Sequence, residues 1–100
     1  MAEYRDEAFE WDEDKSADRL ARSGFDFHAA KRIFESNRYV ERWDEAHSDG
    51  EDHFIATGLV EMVFVSAVYV EREGRKRIVS AFKADDDDIA DFMVTYASWE

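Results

Sequence analysis

The hydrophobic pattern of this chain changes period twice. Phe9-Glu10-Trp11 places apolar residues two apart, as in a short strand. Asp12 then stands where a helix cap belongs, followed by Glu13 and Asp14, whose carboxylates suit the positive end of a helix dipole. Ala17, Leu20 and Ala21 give this helix an apolar face, Arg22 falls in its last turn, and Gly24 supplies a left-handed stop. Asp26 opens a second helix, with Phe27, Ala30, Ile33 and Phe34 at helical spacing. Residues 12–36 are thus predicted to form a helical hairpin.

From Tyr39 the period returns to two. Tyr39 to Trp43 reads as an edge strand, and the polar stretch 44–52, DEAHSDGED, as a loop. Phe54 to Val60, Met62 to Arg72 and Arg75 to Lys83 follow as successive strands, the last two joined at Glu73-Gly74. The nearly unbroken apolar run from Val63 to Val70 predicts a central strand covered on both faces, with Val63, Val65, Val68 and Val70 in the core. Asp85–Asp88 starts a final helix that presents Ile89, Phe92, Met93 and Tyr96 on one side. The order β-α-α-β-β-β-β-α predicts an α+β fold, with helices packed on an antiparallel sheet.

Length and composition narrow the class. One hundred residues without a linker or internal repeat predict a single domain over 1–100, and 45% hydrophobic residues argue against disorder. The absence of cysteine excludes disulfides and thiolate chemistry, which fits a reducing, cytoplasmic setting. No apolar run approaches the ~20 residues that span a bilayer, and no signal peptide is visible, so no membrane partner is expected. The net charge of −12 is confined to the ends. Residues 1–14 carry seven acids and one base, and residues 85–100 carry six acids and no base; the middle is neutral.

The candidate chemistry is sparse. Arg72, Arg75, Lys76, Arg77 and Lys83 cluster around the last hairpin. They read either as a phosphate-binding surface, since guanidinium forks match phosphate oxygens, or as solvated cations offsetting Glu71, Glu73 and the terminal acids. His28, His47 and His53 are candidate acids or bases, and His47 in the polar loop is the best placed to reach a substrate. No histidine pair has metal-ligand spacing, and the aspartate run lacks the spaced ligands of a calcium loop, so neither a metal nor another cofactor is expected. Trp11, Trp43 and Trp99 read as core or interface residues, because no basic groove interleaves them.

Taken in order, several of these segments resemble the BrnT toxin family. They are Phe9-Glu10-Trp11-Asp12 with Lys15, Leu20, Gly24 and Phe27; His47-Ser48 with Gly50-Glu51 and Gly58; and Val68-Tyr69-Val70-Glu71-Arg72 with Arg77-Ile78-Val79-Ser80-Ala81 and Lys83-Ala84. The resemblance implies a RelE-like fold and a ribonuclease toxin that cleaves RNA without a metal. It also implies a BrnA-like antitoxin partner that binds DNA. Carried over by position, Arg72, Arg77 and Lys83 become phosphate contacts, and His47 and Glu71 become proton-transfer or positioning residues. The chain departs from the family at Ser23, where histidine is common, at Phe82, where arginine is common, and at Asp85–Asp88, where the tail is usually mixed or basic. Those departures motivate a rival reading. In it Asp85, Asp86, Asp87 and Asp88 bind a basic nucleic-acid-binding complex, as a phage-type nucleic-acid mimic or anti-CRISPR inhibitor does.

Overall fold

The computed structural model describes residues 2–96; Trp99 and Glu100 lie outside them. Strands β1 (Glu3–Arg5) and β2 (Phe9–Asp12) lead into helices α1 (Glu13–Ser23) and α2 (Phe27–Glu35). Strands β3 (Tyr39–Trp43), β4 (Phe54–Val60), β5 (Val63–Arg72) and β6 (Arg75–Lys83) follow, and α3 (Asp86–Tyr96) closes the described chain. The α+β class is as expected, and so are the caps. Asp12 accepts from the backbone N–H groups of Asp14 and Lys15, Asp26 accepts from that of Ala29, and Gly24 takes φ 85°. Glu73 and Gly74 both have positive φ, the geometry that matches a two-residue hairpin to strand twist.

The sheet differs from the expectation in two ways. Its order is β1-β2-β6-β5-β4-β3, and β2 pairs with β6 in parallel, so the sheet is mixed. Phe9 lies against Lys76 and Glu10 against Arg77, a contact between residues far apart in sequence that no local pattern encodes. β1 is the second difference. It pairs with β2, stacks Tyr4 on Trp11 at 4.1 Å, and turns at Asp6, which accepts from the N–H groups of Ala8 and Phe9. Burial disfavours the Asp6 carboxylate, but hydrogen bonds from Lys31, Tyr4 and those two backbone groups overcome it and hold its pKa far below the usual range.

One face of the sheet is covered by α1 and α2. Trp11, Phe27, Ala30, Ile33, Val65, Ala67 and Ala81 are fully buried there, with Tyr69 and Ile78 beside them. Gly58 allows this packing: a Cβ on it would sit 3.1 Å from both the Arg38 carbonyl and Ile33 Cγ2. The predicted core valines divide between faces, since Val63 and Val65 alternate with Val68 and Val70 across the pleat. α3 covers part of the other face, where Phe92 meets Phe64 edge-on at 5.2 Å and the Tyr96 hydroxyl bonds the backbone N–H and carbonyl of Tyr39.

The apolar face assigned to α1 is a correction. Ala17, Leu20 and Ala21 face solvent, with Leu20 50% exposed, while Ser16 is buried. The reason lies in β6. β2 pairs with it only at Lys76 and Arg77, which leaves the rest of that edge to α1. Arg19 and Ser23 both donate to the Ala81 carbonyl, and Ser16 accepts from the buried N–H of Phe27. Satisfying the sheet's backbone outweighs burying three small apolar side chains. Ser16→Ala is therefore expected to cost about 1–3 kcal/mol by orphaning the Phe27 N–H. Leu20→Glu is expected to stay within about 0.5 kcal/mol. Urea unfolding of both variants measures the difference; the reverse ranking would refute this docking mode.

Candidate functional site

The face opposite α1 and α2 is only partly covered, and paired residues show which side chains it carries. Directly opposed strand residues share a face. Arg5–Glu10, Glu10–Arg77, Arg77–Val70, Val68–Ser80, Val68–Ile55, Ile55–Arg42 and Ser66–Phe82 thus all lie on this open side. Arg42 marks the limit of α3: its guanidinium grips buried Asp88 at 2.7 and 3.2 Å. Beyond α3 the face opens into a pocket of about 400 Å³ lined by His53, Val68, Val79, Ser80 and Phe82.

A bulge shapes this pocket. Tyr69 pairs with Ile78 but Val68 pairs with Ser80, so Val79 is one residue too many for β5 to match. Both Val79 and Ser80 line the pocket as a result. The same extra residue reverses the faces of everything after it. Arg77 and Lys83, six positions apart, end on opposite sides: Arg77 on the open face, and Lys83 exposed on the helix face opposite Val65.

Of the residues proposed from sequence, Arg72 and Arg77 share the open face. Glu71 does not, because its partner Lys76 reaches over the Tyr69 and Phe34 rings on the helix side. There Glu71 lines a separate pocket of about 310 Å³ with Phe9, Glu73, Gly74 and Lys76. The backbone of His47 ends the 3-10 turn Glu45–His47, and its side chain lies outside the described part of the structure. Asp85 accepts from the Asp88 N–H as the start of α3, and Asp88 is buried and held by Arg42, while Asp85, Asp86 and Asp87 are exposed.

The two arginines are held differently. Arg77, 19% exposed, donates to Glu3 at 2.8 and 3.1 Å and to Glu10 at 3.0 Å. The Glu3 hydrogen bond, then that of Glu10, outweighs the cost of burial and raises its pKa. Arg72, 51% exposed, makes one bidentate pair with Glu51 at 2.9 and 3.1 Å. This contact raises the pKa of Arg72 and lowers that of Glu51. Glu51 also accepts a 2.9 Å hydrogen bond from His53 Nδ1 at its backbone carbonyl. The sequence offered His53 only as one of three candidate acids or bases, ranked behind His47, and Glu51 only within a family motif. The available signal was parity, since His53 and Ile55 share one face of an extended segment, as do Val68, Val70 and Arg72.

Among the described residues, no group of three or more His, Asp or Glu side chains is placed to hold a metal ion. No helix of those residues is long and apolar enough to cross a membrane. Residues 11–88 match the family described as "Ribonuclease toxin, BrnT, of type II toxin-antitoxin system". No curated protein matches the chain.

The pairing predicts unequal costs for the two arginines. Arg77→Ala strips the buried Glu10 of its closest cation and leaves only Arg5 at 3.3 Å. A loss of about 2–4 kcal/mol is expected, somewhat below that of a fully isolated buried charge. Arg72→Ala is expected to cost about 1 kcal/mol or less, since both partners are exposed. Thermal or urea unfolding distinguishes the two, and equal losses would contradict it.

Proposed function

The chain belongs to the BrnT family of type II toxin–antitoxin ribonuclease toxins, and from that membership we propose that it cleaves RNA on the open face of its sheet. In this reading it is a metal-independent endoribonuclease, and its family membership implies neutralisation by a small DNA-binding antitoxin. The observation that carries it is Arg72. Its guanidinium stands on the open face, linked to the pocket's His53 through Glu51, whose carboxylate occupies its fork.

A bidentate guanidinium–carboxylate pair has the same donor pattern as a guanidinium–phosphate pair. Exposed pairs of this kind contribute roughly 0–1 kcal/mol, so an incoming phosphodiester displaces Glu51 at little cost. Arg77 is different. Two carboxylates neutralise it, one of them buried, and it serves to hold the N-terminal strands beside the site. In this reading Arg72 contacts phosphate, and it stabilises the extra negative charge of the phosphorane as the 2′-oxygen attacks. Glu71 and Lys83 point to the other side of the sheet and act, if on RNA at all, outside the step of bond cleavage.

Purified protein is expected to cut single-stranded RNA in the presence of EDTA, and its expression is expected to arrest growth. Arg72→Ala should slow cleavage by about 10²–10³-fold, the scale of one lost charge-stabilising donor, without lowering the unfolding midpoint appreciably. Cleavage that stops on chelation and returns with a divalent cation would overturn the metal-free mechanism. Folded protein that leaves RNA intact at micromolar concentration would end the ribonuclease reading.

A further inference from the structure

The pocket on the open face contains a histidine whose neutral tautomer is set by its neighbour. His53 Nδ1 lies 2.9 Å from the Glu51 carbonyl oxygen. A carbonyl only accepts, so Nδ1 carries the hydrogen, and the neutral ring keeps its lone pair on Nε2. His53 is part of the pocket wall, facing Val68, Val79, Ser80 and Phe82. The residue that sets this tautomer, Glu51, is also the one whose carboxylate occupies Arg72. One residue thus positions an imidazole through its backbone and covers a guanidinium through its side chain.

The rest of the pocket matches a nucleotide. Phe82 offers a partly exposed ring, Val68 and Val79 an apolar floor, and Ser80 a hydroxyl displaced into the wall by the bulge. A base gains from stacking on such a ring irrespective of sequence, and Arg72 is linked to the same pocket wall through Glu51. We infer that this pocket holds one ribonucleotide of the substrate, with Phe82 stacking on its base and His53 Nε2 taking the proton of its 2′-hydroxyl. This assignment rests on the ribonuclease reading above and adds to it the catalytic base and the base-binding residue.

The step balances without any further reagent. The 2′-oxygen gives its proton to Nε2 and its electron pair to phosphorus, the phosphorus–5′-oxygen bond breaks, and a water molecule protonates the departing oxygen. The hydroxide so formed takes the proton from the imidazolium and restores the starting ring. The products are a 2′,3′-cyclic phosphate and a 5′-hydroxyl.

His53→Asn is the decisive variant, because an asparagine amide N–H can still donate to the Glu51 carbonyl while nothing replaces Nε2. Single-turnover cleavage of an oligoribonucleotide by the full chain is expected to fall by about 10²–10⁴-fold, with an unchanged unfolding midpoint. His53→Ala should regain part of its rate when free imidazole is added, which a purely structural histidine does not allow. Phe82→Leu should raise KM roughly tenfold with a smaller effect on kcat, in line with one lost stacking contact. A 2′-deoxy residue at the cleaved position should block the wild type. If the wild type cleaves and His53→Asn cleaves equally fast, His53 is not the base and the inference fails alone. The inference also fails if loss of rate accompanies a lowered midpoint and imidazole restores nothing. If the wild type does not cleave RNA at all, the ribonuclease reading falls and takes this assignment with it.

Discussion

Glu10 is the constraint on which the arrangement depends. The residue is only 7% exposed, and a buried charge is tolerable only where cations and donors meet it. Arg77 and Arg5 do so, from β6 on one side and β1 on the other. Meeting that need fixes β2 in parallel beside β6, with Glu10 opposite Arg77, and recruits Glu3 to the same guanidinium. The neighbouring residues Phe9 and Trp11 then necessarily face the other way, under α2 and against Tyr4. One ion cluster on the open face thereby sets the aromatic packing on the closed one.

Other cations are likewise paired with acids from distant segments. Acids from the N-terminal segment end on Arg77 and Lys31, Asp88 from the tail ends on Arg42, and Glu51 from the central loop ends on Arg72. The reading of the hairpin cations as partners for terminal acids is thus fulfilled at Arg77. It is not the whole account, because Arg72 is paired with a loop carboxylate at the surface. Burial separates the two: the largely buried Arg77 ties the N-terminal strands to β6, and the exposed Arg72 ties the central loop to β5.

Of the site's geometry, the bulge at Val79 decides most. Simple alternation along β6 places Arg77, Val79, Ala81 and Lys83 on one face. The extra residue instead returns Ser80 and Phe82 to the open face with Arg77, and sends Ala81 into the core and Lys83 to the far side. A pocket with one aromatic wall results, lined by Val68, Val79, Ser80 and Phe82 with His53.

The sequence by itself determined the local elements, because their causes are local. Asp12, Asp26 and Gly24 begin and end helices through hydrogen bonds within a few residues. Glu73-Gly74 turns a hairpin through its own dihedral angles, and period-2 runs mark β4, β5 and β6. The ordered motifs sufficed to point to the family. Long-range satisfaction was not legible. That α1 docks by Ser16, Arg19 and Ser23 depends on an unpaired edge of β6, and that Arg72 and Arg77 share one face while Glu71 and Lys83 share the other depends on pleat and bulge together. His53, just before β4, meets side chains of β5 and β6 in one pocket although these residues are well separated in the sequence. Tertiary structure decided those matters, since a hydrogen-bond donor or a buried charge takes its partner by position in space, and adjacency along the chain carries no information about that position.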